Sequence, residues 1–173
     1  MKYLALAAAI FVSACVPDGI PGTDRDILSG NEYAETTAGF LQNVDPAFPR
    51  AGVTYATADY LYGVQIEYFA ADGTSYLWFR GNSAPLRGEW KIQGSSFNPD
   101  LCFKYGANTR DAVTGTRGGN WQCGRLRNGA ENVVSFIEGD PFGLSKGKQL
   151  ATDLRRCELP PPMKLMTRAF KCL

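Results

Sequence analysis

From residue 53 onward the apolar side chains recur at every second position, a period that builds strands and does not build a helical bundle. Val64, Ile66 and Tyr68 alternate with Gln65 and Glu67, Asp72-Gly73 marks a tight turn, and Tyr76 to Phe79 returns with Trp78 in its middle. Leu86, Gly88, Trp90 and Ile92 then alternate with Arg87, Glu89, Lys91 and Gln93, giving one apolar and one polar face. Leu101 to Tyr105 and Trp121 to Arg127 read as two more strands, and Asn128-Gly129 as the turn into a strand over Asn132 to Glu138. Turns at such short intervals predict a mainly β protein, an antiparallel meander closing into a small lipocalin-like barrel or a sandwich. The 19 Gly, 10 Pro and 21 aromatic residues (10 Phe, 8 Tyr, 3 Trp) suit that architecture.

The flanks read differently. Residues 29 to 39 carry the marks of one short helix, with Ser29 or Asn31 as N-cap and Gly39 as its stop, and Pro46, Pro49 and Gly52 place residues 43 to 52 in a loop. Residues 144 to 156 have room for one more strand, and Pro160-Pro161-Pro162 predicts an extended polyproline segment.

The N-terminus supplies an address. Lys2, an apolar run from Tyr3 to Val12 and then Ser13-Ala14-Cys15 form a charged, an apolar and a small-residue segment in the order of a secretory signal. The run is about half of the roughly 20 residues a membrane-spanning helix needs. Val12-Ser-Ala-Cys15 resembles the bacterial lipobox, which implies lipid on Cys15 and removal of residues 1 to 14. Val16 in place of Asp after that cysteine points to the outer membrane. Residues 15 to 25, with two Pro and two Gly, read as lipidated cysteine and flexible tether, and 26 to 173 as a single β-rich domain. Cys102, Cys123, Cys157 and Cys172 are then an even set in an oxidising compartment, and strand geometry favours the pairs Cys102–Cys123 and Cys157–Cys172.

Composition excludes much chemistry. The chain has no histidine, so no His-based triad, no imidazole metal ligand and no base titrating near neutrality without a large shift. Neither a phosphate-cradling glycine motif nor a Ser nucleophile signature is present. Metal and cofactor are therefore not expected. Residues 15 to 100 carry 5 basic and 11 acidic groups (net −6), and 101 to 173 carry 12 and 6 (net +6). Such halves either present a basic surface to an anionic partner or interleave and neutralise each other. Export and near-zero overall charge argue against nucleic acid.

Glu67, Asp72 and Glu89 are the carboxylates of the central strands, and a pair of them would be the minimum for glycoside cleavage. The alternation places Glu67 and Glu89 on a solvated face and Asp72 in a turn, so no catalysis is expected. Tyr68, Tyr76, Trp78, Trp90 and Trp121 would line a ligand cavity in an open barrel, or fill the core of a closed one. The loop 106 to 120, with Arg110 and Arg117, is a disulfide-anchored candidate for partner recognition.

Leu28-Ser-Gly30, Tyr68-Phe-Ala-Ala-Asp-Gly73, Gly88-Glu-Trp90, Cys102-Phe-Lys-Tyr105 and Trp121-Gln-Cys123 together resemble a group of small exported bacterial proteins that share a domain of unknown function, over roughly residues 26 to 138. G-x-W also occurs in lipocalin-like and bacterial protease-inhibitor barrels. The resemblance implies an exported β-rich module and no known chemistry. The sequence as a whole thus reads as a cell-envelope lipoprotein that binds a small ligand or a partner protein without catalysis, or alternatively inhibits an envelope or secreted hydrolase.

Overall fold

The computed structural model describes residues 44–151 and 154–166. Seven strands form one antiparallel sheet among them: β1 (Val53–Asp59), β2 (Gly63–Phe69), β3 (Thr74–Phe79), β4 (Leu86–Ser95), β5 (Asn98–Tyr105), β6 (Gln122–Arg125) and β7 (Val133–Glu138). Their spatial order is β6-β5-β4-β3-β2-β1-β7, so a simple meander is extended by a last strand that returns to the far edge beside β1. The sheet curls into a half-barrel. The helix expected over 29 to 39 lies outside the described residues, as does the whole N-terminal address.

The curl follows from side-chain size. Neighbouring strands lie about 4.8 Å apart, so β2 and β5 would be roughly 14 Å apart in a flat sheet. Yet the Phe69 ring of β2 lies 5.8 Å from Phe103 of β5 and 5.1 Å from Trp90 of β4. Between them, on the same inner face, stand Ser75 of β3 and its register partner Gly88 of β4. These two small residues leave a trough into which the side chains of the outer strands lean.

One end of the inner face is filled by Phe48, Val53, Tyr55, Phe69, Leu101 and Val133. Phe48 meets Tyr55 and Phe69 edge to face, which suits the ring quadrupoles. The helix α1 (Leu126–Glu131) plugs that end, with Leu126 and Ala130 against the cluster. This corrects the hairpin expected at Asn128-Gly129. Leu126 and Ala130 are four residues apart and so share one helical face, and Gly129 sits where a Cβ would lie 3.3 Å from the Phe48 ring. A tight turn there would leave the core end open, whereas the helix carries the chain from edge β6 to edge β7.

The outer face of β1, β2, β3 and β7 is covered by the C-terminal segment. Leu144, Leu150, Leu154 and Met163 pack on Ala56, Ala58, Val64, Ile66, Trp78 and Val134. Among the described residues of 144 to 156 there is no strand, as was expected there, but a 3-10 turn at Leu144–Lys146, with the Asp140 carboxylate accepting from the Leu144 and Ser145 N–H groups. The prolines do not extend either: the Met163 N–H donates to the Pro160 carbonyl, a turn that drives Met163 into the outer core. The strap is tied at both ends, with the Val64 N–H on the Arg156 carbonyl and the Met166 N–H on the Val134 carbonyl. Gly63 permits the first approach, since a Cβ there would lie 2.5 Å from the Arg156 side chain.

Cys102 and Cys123 are register partners on β5 and β6 and form the expected disulfide. Cys157 is also disulfide-bonded; Cys15 and Cys172 lie outside the described residues. The charge halves interleave, for Arg50–Glu138, Lys104–Glu89 and Arg125–Asp100 each join one half to the other.

Asp45 anchors the chain's entry into β1. Its buried carboxylate accepts from the Tyr55 hydroxyl at 2.7 Å and from Arg50 Nε at 2.8 Å. Burial pushes that carboxyl up, but the hydrogen bonds from Tyr55, Arg50 and the Ala47 N–H outweigh it and hold it below the ordinary value. A carboxyl depressed in the folded state stabilises above its unfolded pKa and loses that contribution as pH falls through the folded value. Asp45→Ala is expected to lower the unfolding free energy by about 2–3 kcal/mol at pH 7. In denaturant titrations the gap between variant and parent should narrow below about pH 4.

Candidate functional site

The other end of the inner face is not filled. It holds a cavity of about 480 Å³. Its floor is the inner-face side chains of β2 to β5, Glu67, Leu77, Phe79, Leu86, Phe103 and Tyr105. β3 reads Tyr76-Leu77-Trp78-Phe79, apolar in both phases, because it is covered on both sides: Trp78 lies in the outer core and Leu77 and Phe79 in the cavity.

The far wall is the segment 106 to 120. It is a hairpin, with Arg110 and Arg117 paired backbone to backbone, the Gly118 N–H on the Thr109 carbonyl and the Gly119 N–H on the Tyr105 carbonyl. Gly118 is required at its base, where a Cβ would lie 2.2 Å from the Gly106 carbonyl oxygen. Asp111 builds its tip: Oδ1 accepts from the Val113 and Thr114 N–H groups, and Oδ2 from the Tyr62 hydroxyl at 2.7 Å, which fastens the hairpin to the β1–β2 turn. Burial raises the Asp111 carboxyl, but these hydrogen bonds prevail and leave it below its ordinary value. The Tyr62 phenol is pushed up by burial and by Asp111.

At the floor a Glu–Tyr pair spans the trough. The Tyr105 hydroxyl of β5 donates to Glu67 Oε1 of β2 at 2.8 Å. Its ring packs against Gly88, where an added Cβ would lie 2.7 Å from ring carbon Cδ1 and 3.2 Å from the Lys104 carbonyl oxygen, so the position calls for glycine. Below the pair the Ser75 hydroxyl is fully buried without a hydrogen-bond partner within normal distance. Burial pushes Glu67 up to about 7, opposed by Tyr105 and by the nearby Ser75 hydroxyl. Tyr105 is raised well above the ordinary phenol value by burial and then by the Glu67 charge.

This placement corrects the solvated-face reading of Glu67. On β2 the alternation does not separate core from water: Val64 and Ile66 face the strap, while Gln65, Glu67 and Phe69 face the inside of the half-barrel. Glu89 is exposed and pairs with Lys104 at 3.2 Å. Asp72 closes the β2–β3 turn by accepting from the Thr74 N–H.

The five aromatics singled out from the sequence are divided between the faces. Tyr68, Tyr76 and Trp78 lie on the outer side, the first two stacked at 6.3 Å between centroids. Trp90 packs on the inner core and donates from its indole to the Ala70 carbonyl. Trp121 sits on the exposed edge beneath Lys91, 4.4 Å from the ring centre. The cavity's lining takes in Arg110 but none of these five, and Arg117 is exposed on the hairpin. The residues that build it, Leu77, Phe79, Leu86, Phe103, Tyr105 and Arg80, carried one legible sign, the two-phase apolar run of β3. Among the described residues no group of His, Cys, Asp and Glu is arranged to hold a metal ion, and no helix is long and apolar enough to cross a membrane. No protein-family model, curated protein or solved structure matches the chain.

Glu67 has a pH signature with a definite sign. Its folded pKa lies above the unfolded one of about 4.5, so between the two the native state binds the extra proton and stability falls as pH rises. The loss is of order 3 kcal/mol, complete above the folded value. With no histidine in the chain to titrate in the same window, denaturant titrations from pH 5 to 8 should show this slope, and Glu67→Gln should abolish it and be the more stable form at pH 8.

Proposed function

We propose that this protein is a non-catalytic binding module of the bacterial envelope, held at the membrane by lipid on Cys15, whose half-barrel takes a small ligand in the cavity between the sheet and the 106 to 120 hairpin. The observation that carries the reading is the uneven filling of the inner face: one end is closed by Phe48 and α1, and the other is left open although apolar side chains line it. Its volume of about 480 Å³ falls within the roughly 300–1,000 Å³ typical of small-molecule sites, and its mixture of apolar floor and few polar groups is theirs too. The chemistry of the lining favours binding over turnover. Both oxygens of Asp111 are engaged by the hairpin and Tyr62, which leaves Glu67 without a second carboxylate free to act as its partner.

The test is fluorescence titration with N-phenyl-1-naphthylamine, a neutral apolar reporter. One reporter should bind per chain with enhanced emission. Leu86→Trp, which fills the cavity floor, should weaken binding by at least about tenfold, whereas Phe97→Ala, at a hairpin tip 98% exposed and away from the cavity, should leave it intact. Absence of reporter binding, or equal binding by the filled variant, would contradict the reading.

A further inference from the structure

The cavity's charge narrows what it takes. Arg80, just past the end of β3, and Arg110, next to the tip of the hairpin, line it from exposed positions. Neither guanidinium makes an ion pair or a side-chain hydrogen bond with an acid among the described residues. The acids within reach are otherwise occupied: Asp111 is held by its own turn and by Tyr62, and Glu67 lies on the floor with Tyr105. Arg156, the third cation of the lining, is already bound to the chain, donating to the Tyr60 and Leu61 carbonyls. Two arginines without an acidic partner among the described residues thus line the same cavity as Leu77, Phe79, Leu86 and Phe103.

We propose that the ligand is a monoanionic amphiphile, an organic acid whose apolar chain or ring lies on the strand floor and whose carboxylate is held between Arg80 and Arg110. The inference rests on the binding reading above and adds the ligand's chemical class. A guanidinium fork matches a carboxylate in two parallel hydrogen bonds, stronger than neutral ones. The lining opposes a cation, since three arginines face two carboxylates and both of these already accept hydrogen bonds. It also opposes a polyanion: only two cations are uncommitted, and the apolar floor would have to be matched by a charged body at a desolvation cost. A wholly neutral apolar ligand would leave the two arginines without a partner.

Competition against the bound reporter decides the matter with two probes of equal chain length, decanoate and 1-decanol, at pH 7 and low salt. Decanoate should displace the reporter at a concentration at least about tenfold lower than decanol. In Arg80→Gln/Arg110→Gln that ratio should fall toward one, and in Arg80→Lys/Arg110→Lys, which keeps both charges, a preference for decanoate should survive. Equal displacement by the two probes in the parent protein, or an undiminished ratio in the double Gln variant, would overturn the assignment of an acid while leaving the cavity a binding site. A protein that takes up no reporter would overturn both.

Discussion

The structure turns on a pair of small residues. Ser75 and Gly88 are register partners at the middle of the sheet's inner face, and nothing larger than a hydroxymethyl group stands between β2 and β5 at that level. Strands three places apart in a flat sheet cannot exchange side-chain contacts. Here they do so twice, through Phe69 with Phe103 and through Glu67 with Tyr105. The first contact joins the inner core into one cluster, and the second sets the floor of the cavity. A single local property, the absence of side-chain bulk at two paired positions, therefore produces both the curvature and the site.

Stability and function are divided between the faces. The outer face, sealed by the strap from Leu144 to Met166, is apolar and closely approached, and Gly63 lets the strap's backbone reach β2. The inner face is sealed at one end by aromatic edge-to-face packing around Phe48 and by the Asp45–Tyr55–Arg50 network, and is open at the other. The strap buries the apolar side chains of the outer face, while the inner side chains at the open end of the half-barrel stay accessible. The hairpin wall is fixed by Tyr62 and Asp111 and based beside β5, which the Cys102–Cys123 bridge ties to β6. That order suits a preformed site, which loses little conformational entropy on binding.

How much of this the amino-acid order discloses depends on whether each strand has one covered face or two. β4, covered on one side, shows its register plainly, with Arg87, Glu89 and Lys91 outward. β2 and β3 are covered on both sides, so period two marks them as strands but does not say which phase faces the cavity, and Glu67 is read as lying on a solvated face when it is partly buried in the cavity lining. The turn at Asp72-Gly73 is local chemistry and legible, whereas Asn128-Gly129, the same kind of dipeptide signal, is overridden by the demand of Phe48 and Leu101 for a cover. The tail illustrates the same limit: Leu144, Leu150, Leu154 and Met163 take their places from the surface they seal, not from a period of their own.

The central claim is that Gly88 is glycine because the Tyr105 ring occupies the space of its Cβ, and a stability cycle on these two positions tests it most directly. Gly88→Ala should cost about 1–3 kcal/mol in the parent chain through overpacking against the ring. In a Tyr105→Ala background, where the ring is gone and only the Lys104 carbonyl oxygen, 3.2 Å from the Cβ position, still presses on it, the same substitution should cost clearly less, giving a coupling of most of the single-variant penalty. Additive costs, with Gly88→Ala equally harmful whether or not the ring is present, would contradict the account.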